Sequence, residues 1–337
     1  MNRIPAEWEP HQAVWLAWPS HRELWREGLQ AARDEHAALA HAIADVRDDR
    51  RHGEALRVLV RTDEDRYSCE RAMAGTGAEL YRSPYGDIWL RDTGPIFGVG
   101  PSGLVAHVFA FNGWGGKYEL EGDQEVSGFV ASLSQSSTVR SDWILEGGAV
   151  EFDGEGTLLT SRSCLLNPNR YGAVDEAQME RRLIDSLGVE RVVWVTDGLK
   201  NDHTDGHIDT LARFIGPGRV LVMSPNGADD PNREALSRII DELAGQRDAR
   251  GRALELVTLP SPGRVESSGV VMPASYVNYY VGNSTVVVPT YGVDPDQDAV
   301  ECIARCFPSR RVVGRSARTI LEGGGAFHCI TQQVPKA

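Results

Sequence analysis

Short apolar runs on either side of a glycine-bearing turn recur along this chain at near-regular intervals, and that recurrence restricts its possible folds more than any other feature. The turn Gly100-Pro101-Ser102-Gly103 lies between Ile96-Phe97 and Leu104–Val108. Asp153-Gly154-Glu155-Gly156 separates Ala149–Phe152 from Thr157–Thr160, Gly216-Pro217-Gly218 separates Leu211–Ile215 from Val220–Val222, and Gly282-Asn283-Ser284 separates Tyr276–Tyr280 from Thr285–Val288. Each reads as a β-hairpin. With Pro101, Glu155, Pro217 and Asn283 as turn centres, the spacings are 54, 62 and 66 residues, the period of a structural repeat.

Between the hairpins, segments of helical periodicity lead to short β-branched runs. Asp175–Leu187 precedes Arg191–Val195, Asp229–Leu243 precedes Leu254–Thr258, and Asp294–Cys306 precedes Arg311–Val313. Near the start, a candidate helix from Ser20 to Val46 leads to Leu56–Val60. The unit is hairpin, helix, strand, and 337 residues hold about five such units in one α/β domain spanning 1–337. The competing architecture is a doubly wound α/β sheet with hairpin insertions. The pentad Ile144-Leu145-Glu146-Gly147-Gly148 recurs as Ile320-Leu321-Glu322-Gly323-Gly324. If the second copy opens a strand as the first does, that strand is Ala326–Ile330. Its expected partner is Ala13–Ala17, which would close the chain into a ring.

The net charge of −13 disfavours phosphate backbones and anionic membrane surfaces and favours a cationic ligand. No nucleic-acid or membrane partner is therefore expected. No apolar run approaches the length of a membrane span. Met1–Glu7 carries one positive charge and no apolar stretch, and five cysteines form no even framework, which together read as a cytoplasmic chain with free thiols. Homo-oligomerisation is left open.

Four segments could carry chemistry. Cys329 follows Gly323-Gly324-Gly325, with His328 beside it. A cysteine in an apolar strand is commonly a small buried hydrophobe, but glycines let a ligand approach, and a thiolate there would be a nucleophile. In Asp202-His203-Thr204-Asp205-Gly206-His207-Ile208-Asp209, a helix would place His203 and His207 on one face as zinc ligands. Gly206 weakens that helix, and no third ligand follows. A strand would instead point His207 and Asp209 together; a solvated acidic loop is the bland alternative. Asp87-Ile88-Trp89-Leu90-Arg91-Asp92-Thr93-Gly94-Pro95 sets an Arg-Asp pair beside a tryptophan, with a turn carrying Arg91 and Asp92 as a surface ion pair as its plain reading. Glu146, between apolar residues and glycines, needs a partner if buried, and a substrate could be that partner. Carboxylates at Asp92, Glu146 and Asp209 suit a planar guanidinium, whose donors match carboxylates bidentately and whose carbon Cys329 could attack.

At these residues the chain resembles the agmatine deiminase family of the guanidine-modifying pentein superfamily, including its bacterial peptidyl-arginine deiminase-like branch. The likeness runs from Pro5-Ala6-Glu7-Trp8-Glu9-Pro10-His11 through Trp89-x-Arg91-Asp92-x-Gly94-Pro95, Leu145-Glu146-Gly147-Gly148 and Gly206-His207-Ile208-Asp209 to His328-Cys329-Ile330-Thr331-Gln332-Gln333. It implies a five-bladed pseudo-symmetric α/β propeller. It also implies that Cys329 is the nucleophile, His207 the general acid/base and Glu146 an assistant to proton transfer, that Asp92 and Asp209 grip the guanidinium, and that Trp89 lines the pocket. The implied reaction turns agmatine into N-carbamoylputrescine and ammonia, a step in putrescine and polyamine biosynthesis, with no metal or organic cofactor.

Three other readings stand beside it: a deiminase of free or peptide-terminal arginine or another alkylguanidine, a metal-dependent hydrolase using His203 and His207, and a binding module that keeps the guanidinium pocket. Cys302 and Cys306 read as buried thiols on a helix face rather than half a metal site. The glycine-rich and polar segments Asn112–Gln124 and Asn226–Asn232 are candidate lids.

Overall fold

The computed structural model describes residues 2–337. Five of its sheets obey one rule, an antiparallel pair followed by a helical crossover to a parallel strand. Ile96–Gly100 and Gly103–Ala110 form the first hairpin, and Gly103–Ala110 pairs in parallel with Ser137–Ile144 after the helix Asp123–Leu133. The second sheet joins Val150–Phe152, Thr157–Ser161 and Arg191–Val195 through the helix Glu176–Leu187. Ala212–Gly216, Arg219–Ser224 and Glu255–Pro260 form the third, with the helix Arg233–Leu243. Tyr280–Val281, Thr285–Thr290 and Arg311–Ser316 form the fourth, with the helix Asp296–Cys306.

The fifth sheet has the same rule but is split across the chain ends. Gln332–Pro335 pairs antiparallel with His11–Ala17, which pairs in parallel with Ala55–Val60 after the helix Leu29–Ala44. An added strand, Glu79–Arg82, extends its edge. The expected pairing of the two termini is therefore present, in a different register. Ala326–Ile330 is a turn, and the terminal strand begins three residues after Cys329. The pentad echo is likewise not structural. Its first copy runs from the end of a strand into a 3₁₀ turn at Gly147–Ala149, whereas Ile320–Glu322 completes the helix Arg318–Glu322. The expected long N-terminal helix is broken as well, because Arg26 adopts φ 48°, and the regular helix starts only at Leu29.

Local chemistry explains the repeat. Asp175 caps its helix by accepting from the Gln178 amide at 2.8 Å, and Gln178 returns a side-chain bond to Asp175 N–H. Met179, Leu183 and Leu187, spaced by four, form the buried face of that helix. Parallel strands covered on both faces need continuous apolar runs, and Val220, Leu221, Val222 and Met223 are all fully buried. Among the described residues no helix is long and apolar enough to cross a membrane.

Candidate active site

The candidate side chains come from the loops and short helical turns that adjoin the sheets. Asp92 lies in the helical turn Leu90–Thr93 just before the first hairpin, and Glu146 and Gly148 lie just before the second. His207 and Asp209 precede the third, where Ile208–Thr210 is a 3₁₀ turn rather than the expected strand. The two side chains converge through that turn, not through strand alternation. Cys329 sits in the turn ahead of the terminal strand, and Trp89 immediately precedes the Asp92 turn.

These six residues share one buried neighbourhood. Asp92 Oδ1 accepts from the Gly148 amide at 2.9 Å and stands 3.7 Å from His207 Nδ1. Its Oδ2 accepts from Trp114 Nε1 at 2.9 Å. Cys329 Sγ lies 3.5 Å from Asp209 Oδ2 and accepts from Asn278 Nδ2 at 3.2 Å. Asn278 also holds the loop, since its Oδ1 accepts from the amides of His328 and Cys329 at 3.1 and 3.4 Å. Glu146 Oε1 accepts from Arg170 Nε at 2.9 Å, so the buried carboxylate has an internal cation. Arg170 is in turn fixed by Asn169, Asp205 and the Thr204 carbonyl.

Behind the thiol lies a chain of charges. His328 Nδ1 bonds Asp209 Oδ2 and its Nε2 bonds Glu7 Oε2, each at 2.7 Å. The His328 ring thus bridges two buried carboxylates through its two nitrogens. Glu7 also meets Arg213 Nη2 at 2.9 Å and Arg91 Nη2 at 3.4 Å, and Arg213 continues to Glu151 at 2.8 Å. Burial pushes the Glu7 carboxyl upward, but Arg213, His328 and Arg91 together hold it well below the usual range. Burial likewise opposes ionisation of Asp209, but His328, His207 and Arg213 together outweigh it, so Asp209 is held low.

The remaining titrations follow from the same low-dielectric setting. Burial raises Asp92, reinforced by the neighbouring Asp209 and Glu146 and opposed by His207. Burial would lower His207, but Asp92, Cys164 and Glu146 raise it well above an ordinary imidazole. The Cys329 thiol is raised well above its ordinary value by burial and by the carboxylates of Asp209 and Asp92. Those surroundings favour the thiol over the thiolate. Both nitrogens of His207, Glu146 Oε2 and Asp209 Oδ1 are buried without a hydrogen-bond partner.

Cys329, Asp92, Trp89 and Trp114 line a pocket of about 740 Å³. Glycines shape it: a Cβ on Gly325 would lie 2.8 Å from the Trp89 ring and 3.0 Å from Cys329 Sγ. Trp114 comes from the expected lid segment Asn112–Gln124, in a loop with φ 53° at Trp114 and 81° at Gly115. The other expected lid, Asn226–Asn232, contributes no residue to this pocket.

The expected histidine pair is not brought together as ligands. His203 stacks on Tyr118 at 5.6 Å and its Nδ1 meets the Tyr118 hydroxyl at 3.1 Å. The cluster of potential metal ligands containing His207 is instead Glu146, Cys164 and His207, with donor atoms within 4.8 Å of one another. Arg170 already neutralises the carboxylate of that cluster. Sequence reading missed Arg170, Trp114, Asn278 and Cys164 as site residues, and quoted Glu7 and His328 without seeing that they meet.

Residues 3–335 match the family described as Porphyromonas-type peptidyl-arginine deiminase. A protein of Pseudomonas aeruginosa named agmatine deiminase is 36% identical over 359 residues, covering 99% of this chain and 95% of that protein. The solved structure of the agmatine deiminase of Enterococcus faecalis superposes with a TM-score of 0.92 at 31% identity, covering 99% of this chain and 96% of the other. That of C. jejuni agmatine deiminase gives 0.88 at 26% identity, covering 100% and 97%.

Proposed function

Because the chain belongs to the Porphyromonas-type peptidyl-arginine deiminase family, we propose that its buried thiol site is that of a hydrolase of linear C–N bonds, an agmatine deiminase. The relatives' names support that substrate. The observation that carries the reading from the site itself is its pair of unpartnered carboxylate oxygens. Glu146 Oε2 and Asp209 Oδ1 are buried acceptors with nothing to accept, and the other Asp209 oxygen lies 3.5 Å from the Cys329 thiol. A protonated guanidinium is a donor only, and it supplies what these atoms lack.

In this reading Asp92 and Asp209 hold the guanidinium nitrogens and Glu146 orients the group. The cation offsets the two carboxylates that keep Cys329 protonated, so substrate binding itself lowers the cost of forming thiolate. Cys329 Sγ bonds to the guanidinium carbon, the thiol proton passes to a nitrogen through His207, and ammonia leaves. The remaining S-alkylated amidine is attacked by water, whose proton His207 takes. The C–S bond breaks, the thiol is restored and N-carbamoylputrescine is released. This sequence uses this chain's side chains and one water. The five repeating sheets fit a five-bladed pseudo-symmetric propeller around the site, and five free cysteines fit a reducing, cytoplasmic compartment.

Ammonia release from agmatine and from arginine, with Cys329→Ala as the blank, tests this. Turnover of agmatine that vanishes in the variant is the expected result. Turnover retained without the thiol would sink the mechanism, and turnover of arginine alone would reassign the substrate.

A further inference from the structure

Asp87 is a buried carboxylate that no cation of the protein neutralises. Its Oδ1 accepts from Trp25 Nε1 at 3.0 Å and its Oδ2 from Trp89 Nε1 at 2.8 Å. Among the described residues no arginine, lysine or histidine forms an ion pair with it. Glu146 makes the contrast, since Arg170 meets it at 2.9 Å. Burial pushes Asp87 upward, and the two indole bonds, the Ile88 amide and the more distant His21 offset this only in part. A buried carboxylate without a counter-ion is unfavourable unless a ligand brings one.

Asp87 lines the same pocket as Cys329 and Asp92. The indoles that hold it line that pocket too, with ring centroids 6.4 Å apart and planes within 27°. Indole faces attract cations, and a carboxylate offers about four acceptor sites, more than the two indoles and the Ile88 amide fill. Asp92, Asp209 and Glu146 serve the guanidinium end of a substrate, so the rest of the molecule extends along this pocket. We propose that Asp87, framed by Trp25 and Trp89, binds the distal primary ammonium of an aminoalkylguanidine and selects such substrates over arginine, which adds a carboxylate at that end. This rests on reading the Cys329 site as a guanidine deiminase. Arg26 is the one basic side chain with a permanent charge among the pocket's lining residues, and it is exposed at the rim beside Glu27.

The test compares ammonia release from agmatine, n-pentylguanidine and arginine by the whole protein and by Asp87→Asn. n-Pentylguanidine replaces the ammonium with a methyl group at equal chain length. The wild type is expected to favour agmatine over n-pentylguanidine by about 10- to 100-fold in kcat/KM, the range of a charge-assisted hydrogen bond. In the variant that preference should collapse, chiefly through KM for agmatine, with a much smaller loss on n-pentylguanidine. Equal losses on both would overturn the proposal and leave Asp87 as a bracket for Trp89. A wild type that does not distinguish the two guanidines, or that prefers arginine through Arg26, would overturn it without any variant and leave the deiminase reading intact. Absence of ammonia from all three would overturn the deiminase reading and this proposal together.

Discussion

A methyl group on Gly148 would stand 2.6 Å from His207 Nδ1, 2.8 Å from Asp92 Oδ1 and 3.2 Å from Asp209 Oδ2. The absent side chain therefore leaves open a space bounded by three of the groups assigned to the reaction. Gly148 does not have a positive φ, so its backbone accepts alanine, and the methyl acts by displacing those atoms. Gly148→Ala should lower kcat/KM for agmatine at least about 100-fold, the scale of an ångström-sized misplacement of catalytic groups. Steady-state kinetics with circular dichroism as the folding control checks this, and wild-type turnover would mean that the three groups do not meet substrate there. The same residues show what was legible. Cys329, His207, Asp209 and Asp92 stood out because thiols, imidazoles and carboxylates among glycines are chemically conspicuous. Arg170 did not, because nothing in Asn167-Pro168-Asn169-Arg170 signals that it will reach Glu146 across 24 residues. Asn278 reads as one polar residue in an apolar run, and only the folded loop shows it holding Cys329.

The helix Asp123–Leu133 begins with a residue that belongs electrically to another segment. Asp123 Oδ1 accepts from the amides of Gly86 at 2.7 Å and Asp87 at 3.4 Å, which ties the helix start to the loop carrying Trp89. Burial, aided by Asp87, pushes Asp123 up to about 7 despite those amide bonds. The sign follows from linkage. Below the ordinary aspartate range both folded and unfolded chains hold the proton, and the contribution is fully present. As pH rises towards 7 the unfolded chain releases its proton while the folded one keeps it, so stability falls until the folded group has also titrated. Asp123→Asn keeps an acceptor for the two amides and removes the titration. Its Tm relative to wild type should therefore climb by several degrees between pH 5 and pH 8, with His207, Glu7 and Asp209 cancelling because both proteins contain them. A difference that stays flat with pH would mean that Asp123 titrates normally. At this scale the hairpins were readable because glycine turns between apolar runs encode them locally. The short Ala326–Ile330 segment was misread because a buried turn and a buried strand are equally apolar, and only the Asn278 and Thr331 hydrogen bonds distinguish them.

Across the whole molecule the site is assembled from segments that are distant in sequence, and its two ends are joined last. Glu7 bonds His328 across 321 residues, and Arg91 Nη1 donates to Gln333 Oε1 at 2.7 Å across 242. The segment that holds these bonds in place is the strand Gln332–Pro335, the only contribution of the C-terminus to the sheet it shares with His11–Ala17. Val334 within it is fully buried, and its loss alone removes about 1.5–3 kcal/mol of burial. The four-residue ladder and the Gln333 bond go with it, a sizeable part of the roughly 5–15 kcal/mol by which folded proteins are stable. The strand that loses its neighbour, His11–Ala17, is also the one whose other edge carries Ala55–Val60, so damage spreads to the first helix crossover. A chain ending at Thr331 should consequently unfold without a cooperative transition in urea and release no ammonia from agmatine, although Cys329 is still present. A chain ending at Pro335 gives up only exposed Lys336 and Ala337 and the Lys336 amide bond to Pro10 O, and should retain both properties. If the shorter chain unfolded as sharply as the longer one, closure of the fifth sheet across the termini would contribute little, and the Cys329 loop would be held by Asn278 together with the bonds of His328 to Asp209 and Glu7.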